Sequence, residues 1–338
     1  MSSASQNLSP QTIAPHLDFG DALDFYPGWP APTVIVSDDA YGVAGFPGDH
    51  RNPQKLAGWY EPHIAAWAQA ALPSTTLWFW NTEIGWAKVA ETLEKYGWVY
   101  RACHTWDKGL AHVAGNVNGQ TIRGLPVVTE VCVQYVREVQ LPTPGGETLS
   151  IKAWLRAEWQ RSGLAFKLTN EAAGVGNAAS RKYFTADDLW YLPPPEMMEK
   201  LARYANQYGR PSDDLYFSLD GKNPVTAVQW TALRAKWHHQ HGLTNVWAVR
   251  PNAGVERIKT ATGKILHPNQ KPLALMDLII RASSDPSDVV WEPFGGLGSG
   301  VLAAAQLGRA GFAAEINPEF YRAAAQRLGL TPVSTDKI

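Results

Sequence analysis

The chain has 338 residues and a formal net charge of −1, which suits one large α/β domain carrying an inserted module and gives no global attraction to nucleic acid. Its two cysteines, Cys103 and Cys132, lie in strand-like apolar stretches, which argues for a reducing compartment and against a disulfide frame or a cysteine metal site. No window reaches the length of a membrane span and the polar start lacks a leader pattern, so a cytoplasmic protein without a membrane partner is expected.

In chain order, Thr33 to Val36 reads as a buried strand ending at Ser37-Asp38, Pro53 to Ala70 as a helix, and Thr76 to Trp80 as a second strand. Glu83 to Tyr96 has the period of an amphipathic helix, and strands are expected near Trp98 to Trp106 and Val127 to Arg137. Leu141 to Gly146 is rich in chain breakers and reads as a linker, and the stretch from there to about Thr244 reads as short helices with polar turns. From Asn245 the alternation returns: helix Leu273 to Ala282, strand Val289 to Trp291, helix Ser299 to Leu307 and strand Ala310 to Ala314. A last helix spans Pro318 to Leu328, with Asn317 as N-cap. The fifteen tryptophans are expected mostly in the core.

Glu292-Pro-Phe-Gly-Gly-Leu-Gly-Ser299 turns a strand into a helix, with glycines that let backbone N–H groups and the helix N-terminus face a ligand. Glu315 ends the next strand, about 20 residues after Gly296, where a carboxylate can accept from both hydroxyls of an adenosine ribose; its other reading is a solvated strand-end acid. A nucleotide-type sheet needs several βα units around such a turn, yet only one strand and one helix come after it. The remaining strands must come from the N-terminal half, which makes the expected fold a permuted Rossmann-like α/β sheet.

Upstream, His267-Pro-Asn-Gln-Lys-Pro272 precedes the helix. His-Pro-x-Gln-Lys-Pro, then a Pro-Phe-x-Gly-x-Gly turn, Leu-Gly-Arg and a Glu-Ile strand end, resembles the C-terminal half of β-class DNA amino-methyltransferases. The resemblance covers most of residues 33 to 137 and 245 to 328, including Thr105 to Gly109 and Thr129-Glu130. It implies a methyltransferase sheet and S-adenosylmethionine as cofactor. It sets Asn269, Gln270 and Lys271 beside the cofactor's methionine end, Phe294, Gly296, Gly298 and Ser299 along its loop, and Glu315 on its ribose. His267 is expected to order its loop and Arg309 to cap the preceding helix.

In that family's order the catalytic loop comes after a strand near the N-terminus and reads Asp-Pro-Pro-Tyr or Ser-Pro-Pro-Tyr, whereas here Ser37-Asp38-Asp39-Ala40-Tyr41 lacks both prolines. An exocyclic amine is a poor nucleophile because its lone pair is delocalised into the ring, so such a loop must supply two acceptors for the amine hydrogens. Asp38 by its carboxylate, next to the cofactor, and Asp39 by its carbonyl are the expected pair, with Tyr41 stacking on a base flipped from the duplex. The other readings are a strand-end turn aspartate and a core tyrosine. The glycine-rich run Gly42 to Asp49 suits close approach to a ligand.

The inserted module concentrates basic residues (Lys152, Arg156, Arg161, Lys167, Arg181, Lys182) against Glu158 and Glu171. Helices at Ile151 to Ser162, Leu168 to Ala173 and Ala178 to Tyr183, with turns at Gly163 and Gly174 to Asn177, resemble a helix-turn-helix. It would present Lys167, Asn177, Ser180, Arg181 and Lys182 to double-stranded DNA; a solvated basic face is the other reading.

The expected organisation is thus 1–140 with the catalytic loop, 141–244 as a mostly helical target-recognition module, and 245–338 with the cofactor loop. The expected function is site-specific methylation of an exocyclic base amine, N4 of cytosine preferred on account of Ser37 and the absent Asp-Pro-Pro-Tyr, N6 of adenine as the alternative that Asp38 in first position favours. C5-cytosine chemistry needs a Pro-Cys loop, which is absent, and a zinc deaminase needs ligands the chain lacks, so no metal is expected. A nicotinamide dehydrogenase shares the glycine turn but not its late position, and a DNA-binding protein without catalysis is the reading that the altered loop allows. The resemblance leaves room for a cognate restriction endonuclease as partner and for a monomer or a homodimer.

Overall fold

The computed structural model describes residues 14–42, 52–110, 120–137, 139–176, 178–187, 189–251 and 254–334. The chain forms two compact units, one from residues up to 137 together with those from 235 onward, the other from 138–234.

The first unit begins with strand β1 (His16–Phe19), short helix α1 (Ala22–Phe25), β2 (Val34–Ser37), helix α2 (Leu56–Ala70), β3 (Thr76–Asn81), α3 (Glu83–Lys95), β4 (Trp98–Asp107) and β5 (Thr129–Arg137). The second contributes a hairpin, β6 (Gln140–Pro142) and β7 (Thr148–Ser150), then α4 (Ile151–Arg161), α5 (Thr169–Ala173), α6 (Pro195–Tyr208) and α7 (Ala227–Ala232). The first unit resumes with β8 (Val246–Trp247), α8 (Leu273–Ser283), β9 (Val289–Glu292), α9 (Ser299–Gln306), β10 (Ala310–Glu315) and α10 (Pro318–Leu328).

Among the described residues the first unit's strands form one sheet in the order β1-β10-β9-β2-β3-β5-β4-β8. Here the expectation of a permuted sheet is met directly: β9, late in the chain, pairs in parallel with β2, early in the chain, through Val34 opposite Val290 and Ile35 opposite Trp291. β10 and β1 extend the parallel side, and β5 enters antiparallel between β3 and β4. β1 is not legible in the sequence, since four residues carrying His16 and Asp18 show no apolar run; its place is fixed by pairing with β10.

Successive strand residues divide between the two faces, as the two-residue period of a strand requires. Ile35, Leu77, Phe79, Val133 and Trp291 join one core cluster with Tyr60, Ile64 and Trp67 of α2 and Leu93 of α3. Val34, Val36, Trp78, Trp80 and Val290 join the other, with Leu275, Ile279 and Ile280 of α8 and Ala303 and Ala304 of α9. Helices on both faces are the reason the central strands are apolar throughout rather than alternating. Most of the large fully buried side chains are tryptophans, in agreement with the core reading.

Three sequence expectations need correction. The breaker-rich Leu141 to Gly146 is a hairpin rather than a linker: Leu141 pairs with Leu149 and is buried, and the turn closes through Thr143 N to Glu147 O (2.8 Å) and Gly146 N to Thr143 O (2.9 Å), with Gly146 at φ +83°. The third helix of the supposed helix-turn-helix is a 3-10 turn over Ser180–Phe184, short because Ser180, Tyr183 and Phe184 are drawn into the unit's core. The second unit ends at 234, not 244, because residues beyond are tied to the sheet unit: His238 N donates to Ala282 O (2.8 Å), Gln240 to Leu278 O (3.0 Å), and Thr105 N to Asn245 O (2.7 Å). No helix of the described residues is long and apolar enough to cross a membrane.

Trp291 anchors this architecture, being fully buried, stacked on Tyr26 at 5.3 Å and bonded through Nε1 to Pro30 O (2.9 Å). Trp291→Ala is expected to lower the stability of the sheet unit by about 3–5 kcal/mol, read as a shift of its denaturant midpoint; a shift below about 1 kcal/mol would contradict this packing.

Candidate active site

The loops after β1, β2, β9 and β10 meet at the carboxyl ends of these parallel strands, where open α/β sheets hold their ligands. They enclose a cavity of about 310 Å³ lined by Asp21, Asp38, Asp39, Tyr41, Asn269, Lys271, Phe294, Gly296, Ser299 and Glu315, among others. Residues from the two ends of the chain thus share one wall.

Gly296 and Gly298 take φ of +50° and +68°, the left-handed region that favours glycine, and bend the chain from β9 into α9. Gly298 does not line the cavity; it packs beneath Leu328 and starts the helix. Phe294 packs edge-on against His63 at 4.9 Å and lies at a tilt to Trp59 at 5.3 Å, forming an aromatic wall. Ser299 is buried and accepts from Arg327 Nη1 (3.0 Å). Below the turn, the carboxylate of Glu292 accepts from Gly300 N (2.8 Å) and Val301 N (2.9 Å), so it caps the first turn of α9. Burial raises Glu292 to about 8 despite those bonds.

Glu315 accepts from Gly296 N (2.7 Å) and Asn317 N (2.6 Å), which locks the glycine turn to the end of β10. Each carboxylate oxygen can accept more than one bond, so both still have capacity for a ligand in the cavity that Glu315 lines. Burial raises its pKa to about 7, partly offset by the backbone donors.

On the catalytic side, Lys271 is nearly sealed from solvent. Its Nζ donates to Asp38 Oδ1 (2.6 Å) and to the Tyr41 hydroxyl (2.8 Å), and lies 3.3 Å from Glu130 Oε2. Lys108 pairs with the other oxygen of Glu130, and Tyr41 donates to Asp38 Oδ1 at 2.7 Å. Burial alone would raise Glu130, but Lys271 and Lys108 outweigh it and hold the carboxyl below its ordinary value. Burial alone would lower Lys271, and Asp38 and Glu130 outweigh it in the opposite sense. Burial, then Asp38 and Glu130, pushes the Tyr41 phenol well up.

The expected residues therefore divide. Asp38, Asp39, Tyr41, Asn269, Lys271, Phe294, Gly296, Ser299 and Glu315 come together at the cavity. Tyr41 is 3% exposed and anchored by its hydroxyl, which fixes its ring in the cavity wall. Gln270 borders the cavity, but its side-chain amide is fastened to Glu256 O (2.7 Å) and Ile258 N (3.1 Å), which makes it a strut of the neighbouring loop. His267 orders its loop, accepting from Asn269 N (3.2 Å), and Arg309 donates to Leu307 O (2.6 Å) at the end of α9, both as expected. Of the run Gly42 to Asp49, only Gly42 lies within the described residues. Sequence reading missed the central place of Glu130 and the lining by Asp21, Trp59 and His63; a carboxylate inside an apolar strand, Glu130-Val-Cys-Val, was the available signal for the first.

In the helical unit, three of the six basic residues are spent internally. Arg161 forks onto Glu158 (2.8 and 2.7 Å), Arg156 donates to Phe184 O (2.7 Å) and Lys152 to Asp187 O (2.8 Å). Ser180 is 1% exposed and bonded to Thr169 and Asn170, so it is not a surface reader. Asn177 lies outside the described residues. Lys167 and Arg181 are exposed and Lys182 half-buried, which leaves these three on the surface.

Removing Lys271 would leave Asp38 and Glu130 facing each other without their shared cation. Lys271→Met is expected to destabilise the sheet unit by about 3–5 kcal/mol, with part recovered in Lys271→Met/Glu130→Gln. A group held below its ordinary pKa stabilises above that value and a group held above it stabilises below, so the Glu130 contribution is lost as pH falls below 4.5 and that of Lys271 as pH rises above 10.5. Denaturant midpoints across pH should show the wild type's advantage over the double variant flat between those limits and shrinking outside them.

A sequence model of the N6/N4 methyltransferases, described as DNA methylase, matches residues 33–326. The chain is 39% identical over 84 residues to the type II methyltransferase M.HinfI of Haemophilus influenzae, a stretch covering 25% of this chain and 23% of that protein. Such stretches span under a third of the length of the curated relatives they match. The fold is similar to that of the M1.HpyAVI–SAM complex (TM-score 0.51, 18% identity, 93% of this chain and 99% of that chain) and of the cytosine-N4-specific PvuII DNA methyltransferase (TM-score 0.52, 12% identity, 97% and 89%). With the family match spanning most of its length, the chain belongs to the N6/N4 DNA methylase family, whose members are S-adenosylmethionine-dependent amino-methyltransferases.

Proposed function

We propose that the protein is a site-specific DNA methyltransferase that transfers a methyl group from S-adenosylmethionine to the exocyclic amine of a flipped base in double-stranded DNA. The observation that carries this reading is the meeting of Asp38, at the end of β2, with the glycine turn and Glu315 in a single cavity. When bound, the cofactor supplies an electrophilic methyl on a sulfonium.

The chain's part is to prepare the amine. Lys271 and Tyr41 both bind Asp38 Oδ1, which fixes the carboxylate and leaves Oδ2 without a partner among the described residues. Oδ2 and the carbonyl of Asp39 would accept the two amine hydrogens, returning the nitrogen lone pair from the ring for in-line attack. Tyr41 would flank the base as a fixed wall. The Glu315 carboxylate would accept from the ribose hydroxyls, and Phe294, Gly296 and Ser299 would line the cofactor, with Asn269 and Lys271 toward its amino-acid end. The helical unit would serve as the target-recognition module, with Lys167, Arg181 and Lys182 as its DNA-contacting cations.

Preference for cytosine N4 rests on Ser37 and on the absent Asp-Pro-Pro-Tyr; the Ser37 side chain is fully buried within β2 and is not among the residues lining the cavity, which leaves only the second ground. Asp38 then heads the loop, which supports N6 of adenine as the proposed target and N4 of cytosine as the second reading. A cognate endonuclease as partner belongs to the same proposal.

Asp38→Ala is expected to abolish methyl transfer, by about 100-fold or more, while S-adenosylhomocysteine still binds in calorimetry. Retained transfer would contradict the role of Asp38. Because ribose hydroxyls donate to ionised Glu315, whose pKa is near 7, affinity for S-adenosylhomocysteine should fall about tenfold from pH 8 to pH 6. Glu315→Gln should bind weakly and without that slope.

A further inference from the structure

His63, on the face of α2 toward the sheet, is 5% exposed and borders the cavity beside Trp59, Phe294 and Asp21. Its Nδ1 lies 2.9 Å from the Tyr26 hydroxyl, and that hydroxyl accepts from Trp67 Nε1 at 2.8 Å. An indole N–H can only donate, so the Tyr26 proton is free to point elsewhere, and His63 Nδ1 is its remaining partner. A hydroxyl proton left unpaired in this buried place would be costly. The relay therefore runs Trp67 to Tyr26 to His63 and requires Nδ1 to be the acceptor. Burial, against a weaker opposing influence of Asp21, lowers His63 to about 4, so at neutral pH the ring carries one proton, which this relay assigns to Nε2. Nε2 has no partner among the described residues, nor is it one of the buried side-chain atoms cut off from solvent.

We propose that His63 is a further ligand-binding residue of the cavity, whose Nε2–H donates a hydrogen bond to a ring nitrogen of the cofactor's adenine. The inference rests on the cofactor reading given above. The surroundings favour a purine over the cofactor's carboxylate: Trp59 and Phe294 pack around the imidazole as apolar aromatic rings, and Asp21, an acceptor lining the same cavity, would repel a carboxylate but accept from an exocyclic amine. A neutral donor with a fixed tautomer beside an acidic acceptor presents the complement of an adenine edge. His63 would then discriminate among purines without any charge of its own.

The test uses the full chain and two probes, S-adenosylhomocysteine and 5′-methylthioadenosine, which keeps the adenosine but lacks the amino acid. His63→Phe removes the donor and keeps an aromatic ring. Calorimetry should show both probes binding about tenfold more weakly to His63→Phe than to the wild type. An unchanged affinity for both would overturn the proposal, and so would a loss confined to S-adenosylhomocysteine, which would assign the donor to the carboxylate. If the wild type binds neither probe, the cofactor reading itself falls and this inference with it. Nitrogen-15 imidazole spectra of the wild type give a second readout that does not depend on the variant folding: the Nε2–H tautomer is expected, with its resonance moving on addition of 5′-methylthioadenosine. An Nδ1–H tautomer or an unmoved resonance would overturn the proposal. Tyr26→Phe, which leaves His63 in place, should give a mixture of tautomers.

Discussion

A buried lysine shared by two carboxylates is the constraint on which the site depends. Lys271 arrives from the loop before α8, Asp38 from the end of β2 and Glu130 from the start of β5, so three distant segments must close on one ammonium. None of these groups could be buried alone at an acceptable cost. Together they satisfy one another, and Lys108 and Tyr41 complete the set. Charge balance thus holds Asp38 in one orientation at the wall of the cavity, in a loop that lacks prolines. Stability and the proposed chemistry are coupled here, since the bonds that keep the knot folded also decide which oxygen of Asp38 remains available.

The sheet explains why such distant segments can meet. Pairing of β9 with β2 joins the chain's late glycine turn to its early catalytic loop, and β10 and β1 continue outward with Glu315 and Asp21 at their carboxyl ends. Chain order is free to vary as long as strand order places these ends side by side. The helical unit enters the chain between β5 and β8 and, among the described residues, adds no strand to that sheet.

Much of this is legible in the sequence, and the rest is hidden for physical reasons. The apolar runs at Val34 to Val36 and Thr76 to Trp80 and the glycine turn at 295–298 are local signals, and each strand or turn forms where the sequence places it. Leu141 to Gly146 misleads because proline and glycine mark a hairpin turn as readily as a linker, and only the pairing of Leu141 with Leu149 distinguishes them. Lys271 reads as a cofactor contact because its partners, Asp38 and Glu130, are remote in sequence; the pairing exists only once the sheet has formed. Ser180 reads as a surface residue from its basic neighbours, whereas its own hydroxyl is bonded inside the helical unit. His63 gives no signal at all, since its value lies in a relay through Tyr26 and Trp67.

The central claim is that Asp38, fixed by Lys271 and Tyr41, directs methyl transfer to an exocyclic amine. Incubating the purified wild-type protein with isotopically labelled S-adenosylmethionine and mixed-sequence duplex DNA, then identifying the released nucleosides by mass spectrometry, tests it most directly. Labelled N6-methyladenine is the predicted product, and N4-methylcytosine would keep the chemistry while reversing the base. Label on a ring carbon, or no labelled nucleoside from protein that binds the cofactor, would contradict the account.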